Sequence, residues 1–478
     1  MLDKRQFYID GQWVLPEKSN DCAVINPATE QACATISLGD SADTNAAVAA
    51  AKTAFTSWSE TPKQERLALL EALLVEYKKR WVDMAAAISM EMGAPIDLAD
   101  VAQTGSGYGH IKDFIAAYRD FEAESALGDN ARAERIIKEP IGVCGLITPW
   151  NWPMNQVTLK VVPALAVGCT VVLKPSEVAP LSSIVFAEIV AAAGFPKGVF
   201  NLVNGDGVGV GTQLSSHPDV DMVSFTGSTR AGALITKAAA DTVKRVTLEL
   251  GGKGANIIFA DADAKAVERG VKHCFNNTGQ SCNAPSRMLV ERSIYDQAVI
   301  TAKAVAQQIE VASPTLKGRH LGPVVNQLQY DKIQSLIAVG IDEGAKLETG
   351  GLGRPEGLAQ GYYVKPTLFS EVDNDMRIAR EEVFGPVLVM IPFDTPEQAI
   401  EIANDSLYGL THYVQTQDSE KAKQAARKLR SGMVRVNGID SSAAAPFGGY
   451  KQSGNGREGG VWGLEDFLET KHITQWID

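Results

Sequence analysis

The sequence predicts an α/β protein made of a doubly wound, Rossmann-like unit, a second α/β unit and a small β arm that belongs to neither. Three observations predict it. From Ile141 onward short apolar strands alternate with helical segments, the alternation resumes near Ala255, and two polar, strand-capable stretches lie outside both runs. Near-continuous apolar strands separated by helices are what a parallel sheet covered on both faces requires, because neither strand face meets water.

In chain order, a short strand region around Phe7 to Val14 comes first. Ser41 to about Met92 then carries Ala, Leu, Lys and Glu at helical spacing and reads as a helical hairpin. The first alternating unit comprises Ile141-Ile147, Pro153-Val167, Thr170-Lys174, Leu181-Ala193, Val199-Val203, Val208-Ser215, Met222-Thr226, Arg230-Ala240 and Val246-Leu250. The second runs through Ala255-Ile258, Asp263-Asn277, Arg287-Glu291, Ile294-Gln308, Val387-Pro392 and Pro396-Asn404. Phe121 to Glu139 and the tail Thr470 to Ile477 are the two stretches outside them. A lone two-stranded arm is marginal in water, so this one is expected to pair with another subunit.

A chain of 478 residues, 45% hydrophobic and 21% charged, exceeds one ordinary core and calls for two or three domains with shared interfaces. With 45 Lys and Arg against 57 Asp and Glu, the net charge of −12 disfavours attraction to nucleic acid or to an anionic membrane. No basic cluster is interleaved with aromatics. The most apolar stretch, Val161 to Leu173, is broken by Pro163 and Gly168 and is too short to span a bilayer. Met1 to Phe7 has mixed charge and no apolar run of signal-peptide length. Cys22, Cys33, Cys144, Cys169, Cys274 and Cys282 show neither CxxC nor finger spacing, which favours reduced thiols and a cytoplasmic location. Six isolated His without an HExxH pattern give no reason to expect a metal.

Several motifs carry chemistry, each with an ordinary alternative. Met222-Thr226 runs straight into Gly227-Ser228-Thr229, which is either a plain strand-to-helix turn or a phosphate cradle at a helix N-terminus. Gly205 to Gly211 is richer in glycine but misses the GxGxxG spacing, so it reads as a loop near the ligand. Lys174-Pro175-Ser176-Glu177 follows the second strand of the first unit, where a parallel sheet presents its carboxyl ends to ligands. It is a solvated turn or a ribose site, and as a ribose site the Glu177 charge favours NAD over a 2′-phosphate. Asn151, before Pro153, is a helix cap or a neutral donor to a developing oxyanion. Cys282 in Gly279-Gln280-Ser281-Cys282 is a small buried hydrophobe or a nucleophile, and Glu249 before Leu250-Gly251-Gly252-Lys253 is an idle strand-end carboxylate or a base.

Taken in order, Thr148 to Pro153, Lys174 to Glu177, Phe225 to Thr229, Leu248 to Lys253, Gly279 to Cys282, Glu382-Val383-Phe384-Gly385-Pro386 and Pro446 to Gly454 resemble the NAD(P)-dependent aldehyde dehydrogenases over nearly the whole chain. The resemblance implies that Cys282 is the nucleophile and Glu249 the general base. The side-chain amide of Asn151 and the backbone N–H of Cys282 would form the oxyanion hole. NAD would be held by Ile147, Trp150, Lys174, Glu177, Gly227, Ser228, Leu250, Gln329, Lys332, Glu382 and Phe384, and Lys174 leaves room for some use of NADP by offsetting Glu177. It further implies an NAD-binding domain of residues 1–120 and 141–250, a catalytic domain of residues 251–452, and an oligomerisation arm of residues 121–140 and 465–478 bridging a homodimer or homotetramer.

The implied reaction accounts for each residue type. A thiolate adds to an aldehyde, the tetrahedral oxyanion collapses with loss of hydride, and the thioester left behind is hydrolysed by a water that a carboxylate activates. The presence of Glu249 favours hydrolysis over a CoA-acylating semialdehyde dehydrogenase. The intact Cys282, Glu249 and Asn151 set disfavours an inert cofactor-binding protein. Ser281 and Asn283 flank the nucleophile, which leaves no neighbouring thiol for a disulfide. Positions resembling the substrate-tunnel wall are Asn155, Gln156, Leu159, Asn276, Ser281, Asn283, Ile439 and Ser441, and so many amides and hydroxyls favour a small or polar aldehyde.

Overall fold

The computed structural model describes residues 1–128, 133–439, 441–442 and 444–476. Its larger sheet has eight strands, in the spatial order Gly454–Asn455, Arg245–Glu249, Met222–Thr226, Val143–Ile147, Thr170–Lys174, Phe200–Leu202, Phe7–Ile9 and Gln12–Val14. The five inner strands are parallel, while the N-terminal hairpin and Gly454–Asn455 add antiparallel edges. Val143–Ile147, Thr170–Lys174 and Met222–Thr226 are buried throughout, which is why the sequence reads there as unbroken apolar runs.

Order and direction place the ligand end. Successive strands run one way from Val143–Ile147 through Thr170–Lys174 to Phe200–Leu202, and the chain then crosses to Met222–Thr226 on the other side. Open α/β sheets bind ligands at such a reversal, outside the carboxyl ends of the strands. Register pairs Ile147 with Lys174, Phe225 with Ile147, and Thr226 with Glu249, so these residues share that end. Helix Pro153–Val167 begins on proline, whose missing N–H costs a first-turn position nothing, and stops at Gly168 with φ of +102°.

A seven-stranded sheet forms the second unit, in the order Lys346–Thr349, Thr367–Ser370, Val387–Phe393, Arg287–Glu291, Ala255–Ile258, Thr411–Gln415 and Met433–Val436. All neighbours are parallel except the first pair. Apolar clusters centred on Ile257, Ile337 and Phe393 on one side, and on Ile258, Val271 and Met390 on the other, bury it between helices.

The expected helical hairpin from Ser41 to Met92 is three helices: Ser41–Trp58, Lys63–Lys79 and Trp81–Met92. Arg80 breaks the last two with φ −101° and ψ 16°, a bend that side-chain periodicity does not register. The arm has three strands where two were expected. Leu468–Ile473 pairs antiparallel with Arg135–Pro140, which pairs with Glu124–Ala126, so the two stretches complete a three-stranded sheet within one chain. Residues 129–132 of the arm and 477–478 of the tail lie outside the described residues. Among the described residues no helix is long and apolar enough to cross a membrane.

Candidate active site

Helix Ala266–Phe275 ends in a tight turn, Asn276–Gly279, that feeds the loop carrying Cys282. Asn277 and Thr278 both sit in the left-handed region, at φ 53° and 56°, an arrangement disfavoured for a β-branched residue and held only by its surroundings. Gly279, at φ +70°, has no alternative: a Cβ there would collide with the Gly385 carbonyl. Likewise a Cβ at Gly252 would strike the carbonyl oxygen of Cys282, and one at Gly251 would strike the Glu382 carboxylate. The glycines of three sequence motifs are therefore the close approaches by which the nucleophile loop, the strand-end loop and the Glu382 loop meet.

A buried set of amides fixes the loop against the first unit. Asn151 Nδ2 donates to the Gln280 carbonyl at 3.0 Å, and Asn277 Nδ2 donates to the carbonyls of Asn151 at 2.9 Å and Gln280 at 3.2 Å. Gln103 Nε2 donates to Asn151 O and Asn277 Oδ1, both at 3.1 Å. Asn151 keeps its second N–H for another acceptor. Gln103 lies on the π-helical turn Ala99–Thr104, a local widening of the helix that often marks a functional site. Neither Gln103 nor Asn277 was expected from the sequence, since an amide in a helical stretch looks like a surface residue.

Cys282 is half-buried and borders a cavity of about 740 Å³. Burial pushes its thiol well up, and the carboxylates of Glu382, Glu249 and Glu458 add to the rise, opposed by the Asn283 N–H. Glu249 is buried, and neither of its carboxylate oxygens has a hydrogen-bond partner. Its carboxyl is pushed up by burial and then by the nearby Glu458. Gly448 leaves room for that carboxylate, since a Cβ there would lie 2.8 Å from Glu249 Oε1. Glu458 itself accepts from Lys160 at 2.6 Å, and Lys160 also donates to Ser224 at 3.0 Å. Lys160 is the one charged residue of helix Pro153–Val167, and a lone buried charge is the signal that an acid faces it.

The cofactor residues expected from the resemblance occupy the crevice in part. Ile147, Lys174 and Leu250 lie buried at the carboxyl ends of the strands or just beyond them, and Ser228 caps helix Thr229–Ala239 through Ala231 N at 3.3 Å, directly after Gly227. Lys174 Nζ donates to the carbonyls of Pro175 at 2.8 Å and Gly205 at 2.5 Å, and lies 3.5 Å from Glu177. Glu382 Oε1 accepts from Gly252 N at 2.8 Å. Trp150 and Phe384 meet edge-on, ring centres 5.4 Å apart, one from each unit.

Two of those positions, and one of the expected tunnel wall, need qualification. Gln329 Nε2 donates to the carbonyls of Val383 at 3.0 Å and Phe384 at 2.8 Å, so its amide is spent on holding the Phe384 loop. Lys332 is exposed and reaches the site only through its charge on Glu382. Ile439 does not join the tunnel wall: the chain turns through positive φ at Asn437 and Gly438, leaving Ile439 74% exposed beside a smaller cavity. The other seven expected wall residues do line the 740 Å³ cavity.

The crevice fits a dinucleotide on the chain's own chemistry. Thr148 and Thr226, at the ends of the two strands that flank the reversal, each have a buried hydroxyl without a partner. Unpaired buried hydroxyls call for a polar ligand, and the N-terminus of helix Thr229–Ala239 stands beside them to meet an anionic one.

Known proteins resemble the chain from end to end. The model of the aldehyde dehydrogenase family matches residues 13–473. A 3-succinoylsemialdehyde-pyridine dehydrogenase of a Pseudomonas species is 53% identical over 99% of each chain. The crystal structure of an aldehyde dehydrogenase from Bartonella henselae superposes with a TM-score of 0.99, at 58% identity over 100% of both chains. Aldehyde dehydrogenase C from Pseudomonas syringae, a cysteine-to-alanine variant crystallised with NAD+ and octanal, gives 0.97 at 50% identity, covering 99% of this chain and 97% of that one.

Proposed function

Because the chain belongs to the aldehyde dehydrogenase family, we propose that it oxidises an aldehyde to a carboxylic acid with NAD and water, through a thioester on Cys282. One observation carries the hydrolytic form of the reaction: a carboxylate, Glu249, stands buried and unpartnered where its charge reaches the thiol of Cys282. NADH formation that requires an aldehyde but not coenzyme A tests it, and a strict requirement for coenzyme A would contradict it.

The steps follow from the residues. Cys282 loses its proton to solvent water, its thiolate sulfur then bonds to the carbonyl carbon, and the free N–H of Asn151 with the backbone N–H of Cys282 holds the oxygen that becomes negative. NAD, when bound, supplies the hydride acceptor and a positive charge. The acyl group then remains on sulfur. Glu249 takes a proton from water as the water oxygen attacks that carbon, and the C–S bond breaks to release the acid. Lys174 and Glu177 would hold the adenosine ribose, Gly227 and Ser228 the pyrophosphate, and Glu382 the second ribose, with Ile147, Trp150, Leu250 and Phe384 as walls. Gln329 and Lys332 act from behind Glu382 and Phe384. The charge of Glu177 supports NAD over NADP, while Lys174 keeps the bias modest.

Asn151→Ala is expected to lower kcat by about 10²–10³-fold with NAD affinity unchanged, as for the loss of one oxyanion donor. Steady-state rates and a dinucleotide titration check this. A loss below tenfold would remove Asn151 from that role.

The division into residues 1–120 with 141–250 for NAD, 251–452 for the thiol chemistry, and 121–140 with 465–478 for assembly is part of the same reading. The three-stranded arm has Glu124–Ala126 and Leu468–Ile473 as its edge strands, exposed over most of their length, which supports a homodimer or homotetramer bridged there. Six unbridged cysteines support a cytoplasmic compartment. Light scattering on protein from the soluble cell fraction should give two or four chains per particle; a monomer would contradict the bridging role.

A further inference from the structure

We propose that the wall of the catalytic cavity formed by His110, Asn155 and Gln156 is a subsite for a neutral hydrogen-bonding group, such as a ketone, hydroxyl, amide or ring nitrogen, carried at a distance from the aldehyde carbon. This rests on the reading of Cys282 as the nucleophile, and it names the class of aldehyde the site takes. Volume comes first. At about 740 Å³ the cavity falls in the range of sites for molecules much larger than a two- or three-carbon aldehyde, so the substrate has a body that extends away from the thiol.

The chemistry of that body follows from what the wall leaves unpaired. His110 lies on helix Gly105–Asp120, and Asn155 and Gln156 lie on helix Pro153–Val167. The His110 ring Nε2 and Asn155 Oδ1 are 2.8 Å apart. An amide oxygen only accepts, so Nε2 carries the proton, leaving Nδ1 as acceptor and the Asn155 N–H groups as donors. If the amide is turned over, the pair still offers one donor and one acceptor. Gln156 lines the same cavity at 4% exposure, and its carbonyl oxygen has no hydrogen-bond partner. The buried Gln156 oxygen is paired only by a guest that donates, a hydroxyl or an amide N–H, while a ketone or ring nitrogen is served by the Asn155 N–H groups, and an alkyl chain pairs with neither.

The charges on the described lining favour a neutral guest. Burial lowers the pKa of His110, which keeps its ring uncharged. Among the described lining residues there is no Asp or Glu, and Trp152 and Phe447 are the aromatics, too few to cage a quaternary ammonium group. The two cations on the lining, Lys272 and Arg435, both have partners of their own, Lys272 in an ion pair with Glu268 at 2.5 Å. Among the described lining residues no Lys or Arg is left unpaired for a carboxylate tail.

Specificity constants for length-matched aldehydes test this: octanal, an aldehyde of equal length with a distal ketone or hydroxyl, one ending in a pyridine ring, and one ending in a carboxylate. The wild type should favour the neutral polar members over octanal by at least about tenfold. Gln156→Met, of similar volume but without the amide, should shrink that ratio several-fold for the hydroxyl substrate, chiefly through its KM. A wild-type preference for octanal or for the carboxylate would overturn the subsite, as would an unchanged ratio in Gln156→Met. Should that variant fail to fold, the wild-type ranking alone decides. Failure of every aldehyde to yield NADH would instead sink the reading of the enzyme itself.

Discussion

Replacing Cys282 by Ala is expected to abolish aldehyde-dependent NADH formation, a loss of at least about 10⁴-fold, while dinucleotide binding persists. The reason is positional. The other five cysteines offer no substitute: Cys144, Cys169 and Cys274 are wholly buried, and Cys22 and Cys33 lie on strands Asp21–Asn26 and Gln31–Ser37 of the small N-terminal sheet. Only Cys282 borders the large cavity, in a loop whose backbone is clamped by Gly252, Gly279 and Asn151. Progress curves with the purified variant, beside a titration of NAD by tryptophan fluorescence, check both halves. Dehydrogenation at more than a few per cent of the wild-type rate would remove Cys282 as nucleophile.

Glu249→Gln should leave the first turnover and slow the ones after it. Glutamine keeps the shape of the side chain but cannot take a proton from water, so the thioester forms and then persists. A steady-state loss of about 10²–10⁴-fold with a retained burst of one NADH per site is the expected pattern. The pH dependence has a definite sign. The working form of Glu249 is the carboxylate, and burial together with Glu458 raises its pKa, so the ionised fraction grows only as pH rises. Cys282 acts as thiolate and is displaced in the same direction. Wild-type turnover should therefore climb from acid toward alkaline pH. In Glu249→Gln the burst rate should still climb, through Cys282, whereas the slow steady-state rate should lose the limb owed to Glu249. Stopped-flow absorbance across pH separates the two, and an unchanged steady-state rate would mean that another group serves as base.

How much of this was legible in the sequence depended on whether a residue's role shows in its immediate neighbours. Strands buried on both faces announce themselves, so Thr170–Lys174, Met222–Thr226, Ala255–Ile258 and Arg287–Glu291 fall where the apolar runs place them. Asp21–Asn26 and Gln31–Ser37 escaped notice, because one side of that pair is exposed and its polar residues interrupt the pattern. The break at Arg80 escaped for another reason: a change of two backbone angles leaves helical spacing on either side intact.

The site divides in the same way. Asn151, Glu249 and Cys282 stand in motifs whose glycines and prolines are visible, and the close approaches at Gly251, Gly252 and Gly279 give those glycines their reason. Gln103, Asn277, Lys160 and Glu458 act by pairing with groups far along the chain, and Gln103 meets Asn277 across 174 residues. Apart from the single charge of Lys160 in its helix, nothing local marks such a pairing. Ile439 shows the opposite error, since its resemblance to a tunnel-wall position said nothing of the turn at Asn437 and Gly438 that carries it away from the cavity.

Mass spectrometry of the Glu249→Gln variant, mixed with NAD and one equivalent of aldehyde and quenched in acid, bears most directly on the thioester. The intact mass should rise by the acyl group formed from that aldehyde, and peptide mapping should locate the increment on Cys282. An unmodified protein after a full burst of NADH, or an acyl group on any other residue, would contradict covalent catalysis at Cys282.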